Sequence, residues 1–172
     1  MPAMPAMPAM PAMPAILGAE LVVRAVSLDD PTARGLEAAH IAEMHQRYDR
    51  EGPNPLDAAD FEPPAGCFLV GFAGGLAVAC GGWRHRTDEI AEVKRMYVVP
   101  AARRQGCSRL LLAAIEEDAR RAGYVEAWLE TGALQPEALG LYRSAGYHSI
   151  PPYGEFRADP RSRSFAKSLV DP

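Results

Sequence analysis

The segment Pro100-Ala-Ala-Arg103-Arg104-Gln105-Gly106-Cys107-Ser108-Arg109 gathers residue types that hold an anion. Three arginines stand at or beside the expected start of a helix. The backbone there already carries about half a positive charge, so each arginine costs up to ~1 kcal/mol. A bound anion offsets that cost. Gly106 lets the backbone approach a ligand closely, and small Ser108 keeps the next turn clear. The amides around Gln105 to Arg109 would then face a phosphate. The competing reading is a solvated basic helix start that tolerates a glycine. Two other phosphate loops are excluded, since neither Gly-x-x-x-x-Gly-Lys-Ser/Thr nor Gly-x-Gly-x-x-Gly after a strand occurs.

Upstream, Ala91-Glu92-Val93-Lys94-Arg95-Met96-Tyr97-Val98-Val99 has a strand pattern. Side chains two apart on a strand share a face, so Glu92, Lys94 and Met96 are expected to point one way, with Lys94 placed to neutralise Glu92. Downstream, Ala138, Leu141 and Ala145 recur at helical spacing within Gln135–Tyr147, which sets Tyr142 beside the packed Leu141. Cys107 falls on the apolar face of its helix and is expected not to be a nucleophile, although a helix N-terminus lowers a thiol pKa. His40 and His45 are five apart and share a helix face poorly. His85 and His148 either line a pocket or are solvated.

Composition limits what these residues can serve. The chain has 172 residues, 48% hydrophobic and 23% charged, enough for about one domain with a real core. Its 18 basic and 22 acidic side chains give a net charge of −4, which argues against a nucleic-acid binder living on phosphate contacts. Any anion site is therefore local. Cys67, Cys80 and Cys107 form no close pair, so no disulfide framework is expected and a reducing, cytoplasmic setting fits. They do not combine with the four histidines into zinc-ligand spacing, so no metal is expected. No apolar run approaches the ~18 residues of a membrane helix.

The elements that must position the site follow from patterning. Residues 1–15 are Met-Pro-Ala repeated five times. Proline at every third position prevents a helix or ladder, so an extended tail outside the fold is expected, with one domain over 16–172. The tail lacks the charged and apolar blocks of a secretory signal. A strand is expected over 20–26, then a helix capped by Asp30 with Pro31 in its first turn, running through Leu36, Ala39 and Ile41–Met44 to about Tyr48. The Pro-rich stretch 51–66 is a loop. Cys67–Ala73 and Leu76–Trp83 form a hairpin about Gly74-Gly75, and a third strand runs from Ile90 to Val99. A helix over 104–122 buries Cys107, Leu111, Ala114 and Ile115 and stops at Gly123. A strand over 124–130, a helix over 136–145 and short strands near 147–150 and 164–170 complete the chain. This order implies an α/β or α+β fold.

Arg103-Arg104-Gln105-Gly106-Cys107-Ser108 resembles the Arg/Gln-x-x-Gly-x-Gly/Ala motif of the GNAT superfamily of N-acetyltransferases, with serine at the last position. The element order from Glu20 to Val170 is similar to that family too. Gln135-Pro-Glu-Ala-Leu-Gly-Leu-Tyr142-Arg-Ser-Ala-Gly146-Tyr147 resembles its Asn-x-x-Ala-x-x-Leu-Tyr-x-x-x-Gly-Phe signature. The resemblance implies a mixed, mostly antiparallel sheet of about seven strands with helices on both faces. It implies acetyl-CoA as donor, its pyrophosphate held by Arg103, Arg104, Gln105, Gly106, Cys107, Ser108 and Arg109. Met96, Tyr97 and Val98 would bind the pantetheine arm through main chain, with the Val98 N–H meeting the oxyanion. Glu92 is implied as general base, directly or through water, and Tyr142 as general acid. The alternatives are an ion-paired or solvated glutamate at Glu92 and a core tyrosine with a bonded hydroxyl at Tyr142. Gln135 occupies the place of an asparagine that bonds the cofactor arm.

The function so implied is transfer of acetyl from acetyl-CoA to a primary amine, on a small molecule or a peptide, in a ternary complex. A non-catalytic acyl-CoA sensor on the same scaffold is the alternative. Oligomeric state is open, with a homodimer as the candidate assembly.

Overall fold

The computed structural model describes residues 18–49 and 55–170; the Met-Pro-Ala repeat and the start of the 51–66 stretch lie outside the described residues. The elements are β1 (Leu21–Ala25), α1 (Pro31–Tyr48), β2 (Gly66–Ala73), β3 (Leu76–His85), β4 (Ile90–Val98), α2 (Cys107–Arg121), β5 (Glu126–Gly132), α3 (Pro136–Ser144), β6 (His148–Ile150) and β7 (Ser162–Ser168). Single 3-10 turns occupy Ala58–Phe61 and Pro100–Ala102. Asp30 caps α1 as its side chain accepts from Thr32 N at 2.8 Å, and Pro31 needs no amide partner in that first turn. The hairpin turn at Gly74-Gly75 has φ of 57° and 80°, the left-handed pair that matches strand twist.

The seven strands form one sheet in the order β1-β2-β3-β4-β5-β7-β6. Only β4 and β5 run parallel, because α2 crosses over between them; the other five pairings are antiparallel. Helices cover both faces, as the family resemblance implies. On one face Leu111, Leu112, Ile115 and Ala119 of α2 pack with Tyr142 of α3, Leu69, Val93, Leu129 and Phe165. On the other, Ala33 and Leu36 of α1 pack with Phe61, Phe68, Val70, Cys80 and Tyr97. Each fully buried large side chain contributes about 1.5–3 kcal/mol.

Several boundaries differ from expectation. Ile41 and Met44 stay partly exposed, so α1 docks mainly through Ala33, Leu36 and the buried Glu37. Helix α2 starts at Cys107 rather than Arg104, because Arg104 and Gly106 take left-handed φ of 62° and 81°. Strand β5 starts two residues later than its apolar pattern predicts. The Tyr124 ring packs edge-on to Trp83 and its hydroxyl pairs with His85 Nδ1 at 2.9 Å.

Candidate active site

Strands β4 and β5 pair over only three residues, from Ile90↔Glu126 to Glu92↔Trp128, although β4 continues to Val98 and β5 to Gly132. Beyond Glu92 the edge of β4 facing β5 has no ladder partner. A β-bulge produces this opening: between the pairs Gly82↔Lys94 and Cys80↔Tyr97, the single residue Gly81 faces both Arg95 and Met96. Arg95 takes φ 60°, and its guanidinium reaches the buried Glu37 carboxylate of α1 at 3.4 Å. A Cβ on Gly81 would sit 2.9 Å from Met96 Sδ, so Met96 packs closely over Gly81.

The extra residue overturns one expectation. Alternation reverses at the bulge, so Met96 packs toward α2 while Glu92 and Lys94 face the side of α1. It also orients the main chain. Val99 N donates to Val78 O at 2.9 Å across the β3 side, so the Val98 and Met96 peptide groups, one and three residues earlier, point into the opening.

The strand leads straight into the turn before α2. Gly106 is the N-cap and no side chain caps the helix. Leu110 N is the first amide to bond back along the helix, to Gly106 O at 3.1 Å; the amides of Cys107, Ser108 and Arg109 lie ahead of it, at the positive end of the dipole. Arg104, Gln105 and Arg109 are exposed around them, and Ser108 is partly so. The side chains divide their duties. Arg103 turns inward, donating Nε to Val98 O at 2.9 Å and pairing with Glu43 at 2.5 Å over the Tyr97 ring. Gln105 donates to Ala101 O at 3.2 Å, and Arg109 reaches Ser144 Oγ on α3 at 2.6 Å. Burial raises the Cys107 thiol, so the inert reading of that residue fits its surroundings.

Tyr142 is the buried residue of α3, packed edge-on to Tyr147 at 5.7 Å and against Phe165. Burial alone pushes its phenol well above the usual tyrosine range. Gln135, just ahead of α3, donates Nε2 to Tyr48 OH at 3.3 Å and so ties α3 to the end of α1.

Glu92 is 4% exposed and held on both oxygens: Arg84 Nε donates to Oε2 at 2.9 Å and Lys94 Nζ lies 3.4 Å from Oε1. Lys94 thus neutralises it as one reading of the sequence foresaw, and Arg84 joins from β3. Trp128 and Glu130, to which the sequence pattern assigned no role, stand nearby on the same face. Trp128 and Glu130 follow Glu126 at period two along β5, and Tyr153 packs edge-on to Trp128 at 5.1 Å with Arg86 above it. Burial, then the charges of Glu92 and Glu130, raise the Tyr153 phenol. Burial raises Glu130 as well. The period-two pattern of β5 was the available signal.

Among the described residues no cluster of His, Cys, Asp and Glu suits a metal, and no helix is long and apolar enough to cross a membrane. A family model for the acetyltransferase (GNAT) family matches residues 33–147. An IAA acetyltransferase of Azospirillum brasilense is 38% identical over 123 residues, 71% of this chain and 80% of that protein. The crystal structure of an inferred acyl-CoA N-acyltransferase from Klebsiella pneumoniae superposes with TM-score 0.77 at 28% identity, covering 87% of this chain and 98% of that one. A GNAT acetyltransferase from Elizabethkingia anophelis with acetyl-CoA bound shares the fold at TM-score 0.64 and 14% identity, over 86% and 97% of the two chains. With the parted strands, the bulge and the uncapped glycine turn in place, the match over two thirds of its length makes this chain a member of the GNAT family of acetyltransferases.

Proposed function

We propose that this protein moves an acetyl group from acetyl-CoA to a primary amine by direct attack in a ternary complex. One observation carries the reading: an unpaired strand edge at Met96–Val98 runs into an uncapped, glycine-initiated helix N-terminus. That order matches the donor's chemistry. Pantetheine amides can add to a strand edge as a peptide would, and a diphosphate at the end of the arm meets helix amides and exposed Arg104. Cys107, Ser108 and Gly106 serve through main chain and small size, and Arg109 braces the turn against Ser144 of α3.

The reaction needs a neutral amine. Its nitrogen attacks the thioester carbonyl, the Val98 N–H meets the developing oxyanion, the C–S bond breaks, and the thiolate takes a proton. Arg103 fixes the Val98 peptide by holding its carbonyl, which makes Arg103 a positioning residue in addition to any role toward phosphate. Tyr142 donates to the leaving sulfur. Burial raises its phenol, and the same apolar surroundings raise the proton affinity of the thiolate, so the two stay matched. Glu92 takes the amine proton through water, with Arg84 and Lys94 fixing the carboxylate. Gln135 supports the arm's channel through Tyr48.

The test is a thiol-release assay with acetyl-CoA across a panel of primary amines, beside melting curves with acetyl-CoA alone. Stabilisation together with amine-dependent thiol release is expected. Stabilisation without release on any amine would support the sensor reading, and neither signal would sink both.

A further inference from the structure

We propose that Glu130 holds the ammonium of the acceptor, on a polar floor shared with Ser164 and roofed by Tyr153 and Gly154. This rests on the acetyl-transfer reading above and adds the acceptor's chemistry to it: a cationic primary alkylamine.

The register assembles the floor. Leu129↔Phe165 is a cross-strand pair in the core under α2 and α3, so the adjacent pair Glu130↔Ser164 faces the opposite side, as does Gly132↔Ser162. Trp128, one step back on that face, is the last β5 residue paired with β4. Glu130 therefore stands at the mouth of the opening.

The polar atoms there lack partners. Both carboxylate oxygens of Glu130 and the hydroxyls of Ser162 and Ser164 are enclosed and accept or donate no hydrogen bond among the described residues, and Ser164 is 5% exposed. Enclosed polar groups are nearly always satisfied, and a carboxylate left without a donor is costly. Glu92 shows the contrast, since cations occupy both of its oxygens. Glu130 retains acceptor capacity that an ammonium with three donors can fill, with Ser164 Oγ as a neighbouring acceptor.

The roof is built to fit. Gly154 has φ 72°, and a Cβ there would lie 2.7 Å from Glu130 Oε2. The left-handed φ favours glycine there, and the turn passes close over the carboxylate. Tyr153, 7% exposed, is pinned between Trp128 and Arg86. The charges facing Glu130 are Lys94 and Arg86 on the cationic side and Glu92 and Glu155 on the anionic side. Neither cation bonds the Glu130 carboxylate, whose two oxygens stay without a hydrogen-bond partner among the described residues and can take a cation from the acceptor.

The test uses n-butylammonium as probe and 1-butanol as its neutral counterpart, at matched ionic strength, on the full chain. Butylammonium should raise the melting temperature of the wild type and 1-butanol should not. Glu130→Gln should abolish the response and Ser164→Ala should weaken it. Glu130→Gln alone should melt no lower than wild type, which excludes misfolding as the cause. In turnover with an accepted amine, Glu130→Gln should raise the amine KM roughly tenfold to a hundredfold, with kcat and the acetyl-CoA KM little changed. No butylammonium response in the wild type, an equal response in Glu130→Gln, or a fall in kcat at constant amine KM would overturn the assignment. Absence of thiol release with every amine, alongside a Glu130-dependent butylammonium shift, would instead remove the acetyl-transfer reading and leave the cation site standing.

Discussion

Glu37 on α1 reaches across 58 residues of sequence to hold Arg95, the left-handed residue of the β4 bulge, with both side chains under a tenth exposed. The helix thereby fixes the irregularity that turns the Met96 and Val98 peptides toward β5. Removing one member of a buried pair costs about 3–5 kcal/mol. Glu37→Ala should lower stability by about 3 kcal/mol in urea unfolding, and residual activity should fall further than the folded fraction. Glu37→Ala with unchanged stability would show the bulge to be held by other contacts.

Gly106 and Arg103 should separate in their effects on the donor. At φ 81°, Gly106→Ala carries a left-handed penalty of about 1–2 kcal/mol and distorts the amides of the turn. Acetyl-CoA affinity should fall roughly tenfold by calorimetry. Arg103→Ala should change that affinity by less than about threefold while lowering kcat about tenfold, because its nitrogens serve Val98 O and Glu43. A large loss of affinity in Arg103→Ala would instead make it a phosphate ligand.

Tyr142→Phe keeps the packing against Tyr147 and Phe165 and removes only the hydroxyl. Loss of a general acid predicts a fall in kcat of about 10²-fold with the melting temperature nearly constant. Turnover at the wild-type rate would leave Tyr142 a core residue.

Two side chains should shape stability against pH in opposite directions. Burial, aided by Arg95, depresses His40 from 6.5 to about 4. Its contribution is full above pH 6.5 and is lost as pH falls toward 4, so His40→Phe, which preserves the edge contact with Tyr97, should flatten that acid limb in pH-dependent melting. Burial raises Glu130 instead, with Lys94, Glu92, Arg86 and Glu155 facing it. The native state then binds its proton more tightly than the unfolded chain, and stability drops as pH rises from the ordinary carboxylate range through the raised value. Glu130→Gln should remove that drop.

Local signals in the sequence were enough to place most elements. Asp30-Pro31 marks the α1 start because capping and proline act within one turn, and Gly74-Gly75 marks the hairpin for the same reason. The bulge was not legible, since Arg95 is no glycine and the partner that holds it, Glu37, lies on another element 58 residues away. For the same reason strict alternation misplaced Met96. The inward contacts of Arg103 were not legible either, since its partner Glu43 lies 60 residues away. Glu130 was missed because its enclosure depends on Gly154 and Ser164, which meet it only after the last strands close.

The helix turn around Gly106 touches a part of the donor that chemistry leaves unaltered. On the proposed reading it cannot tell a spent carrier from a charged one, because the diphosphate is identical before and after transfer. Free coenzyme should therefore compete with its acetylated form at nearly equal strength, and the cellular ratio of the two, more than the abundance of either, would set the pace of turnover.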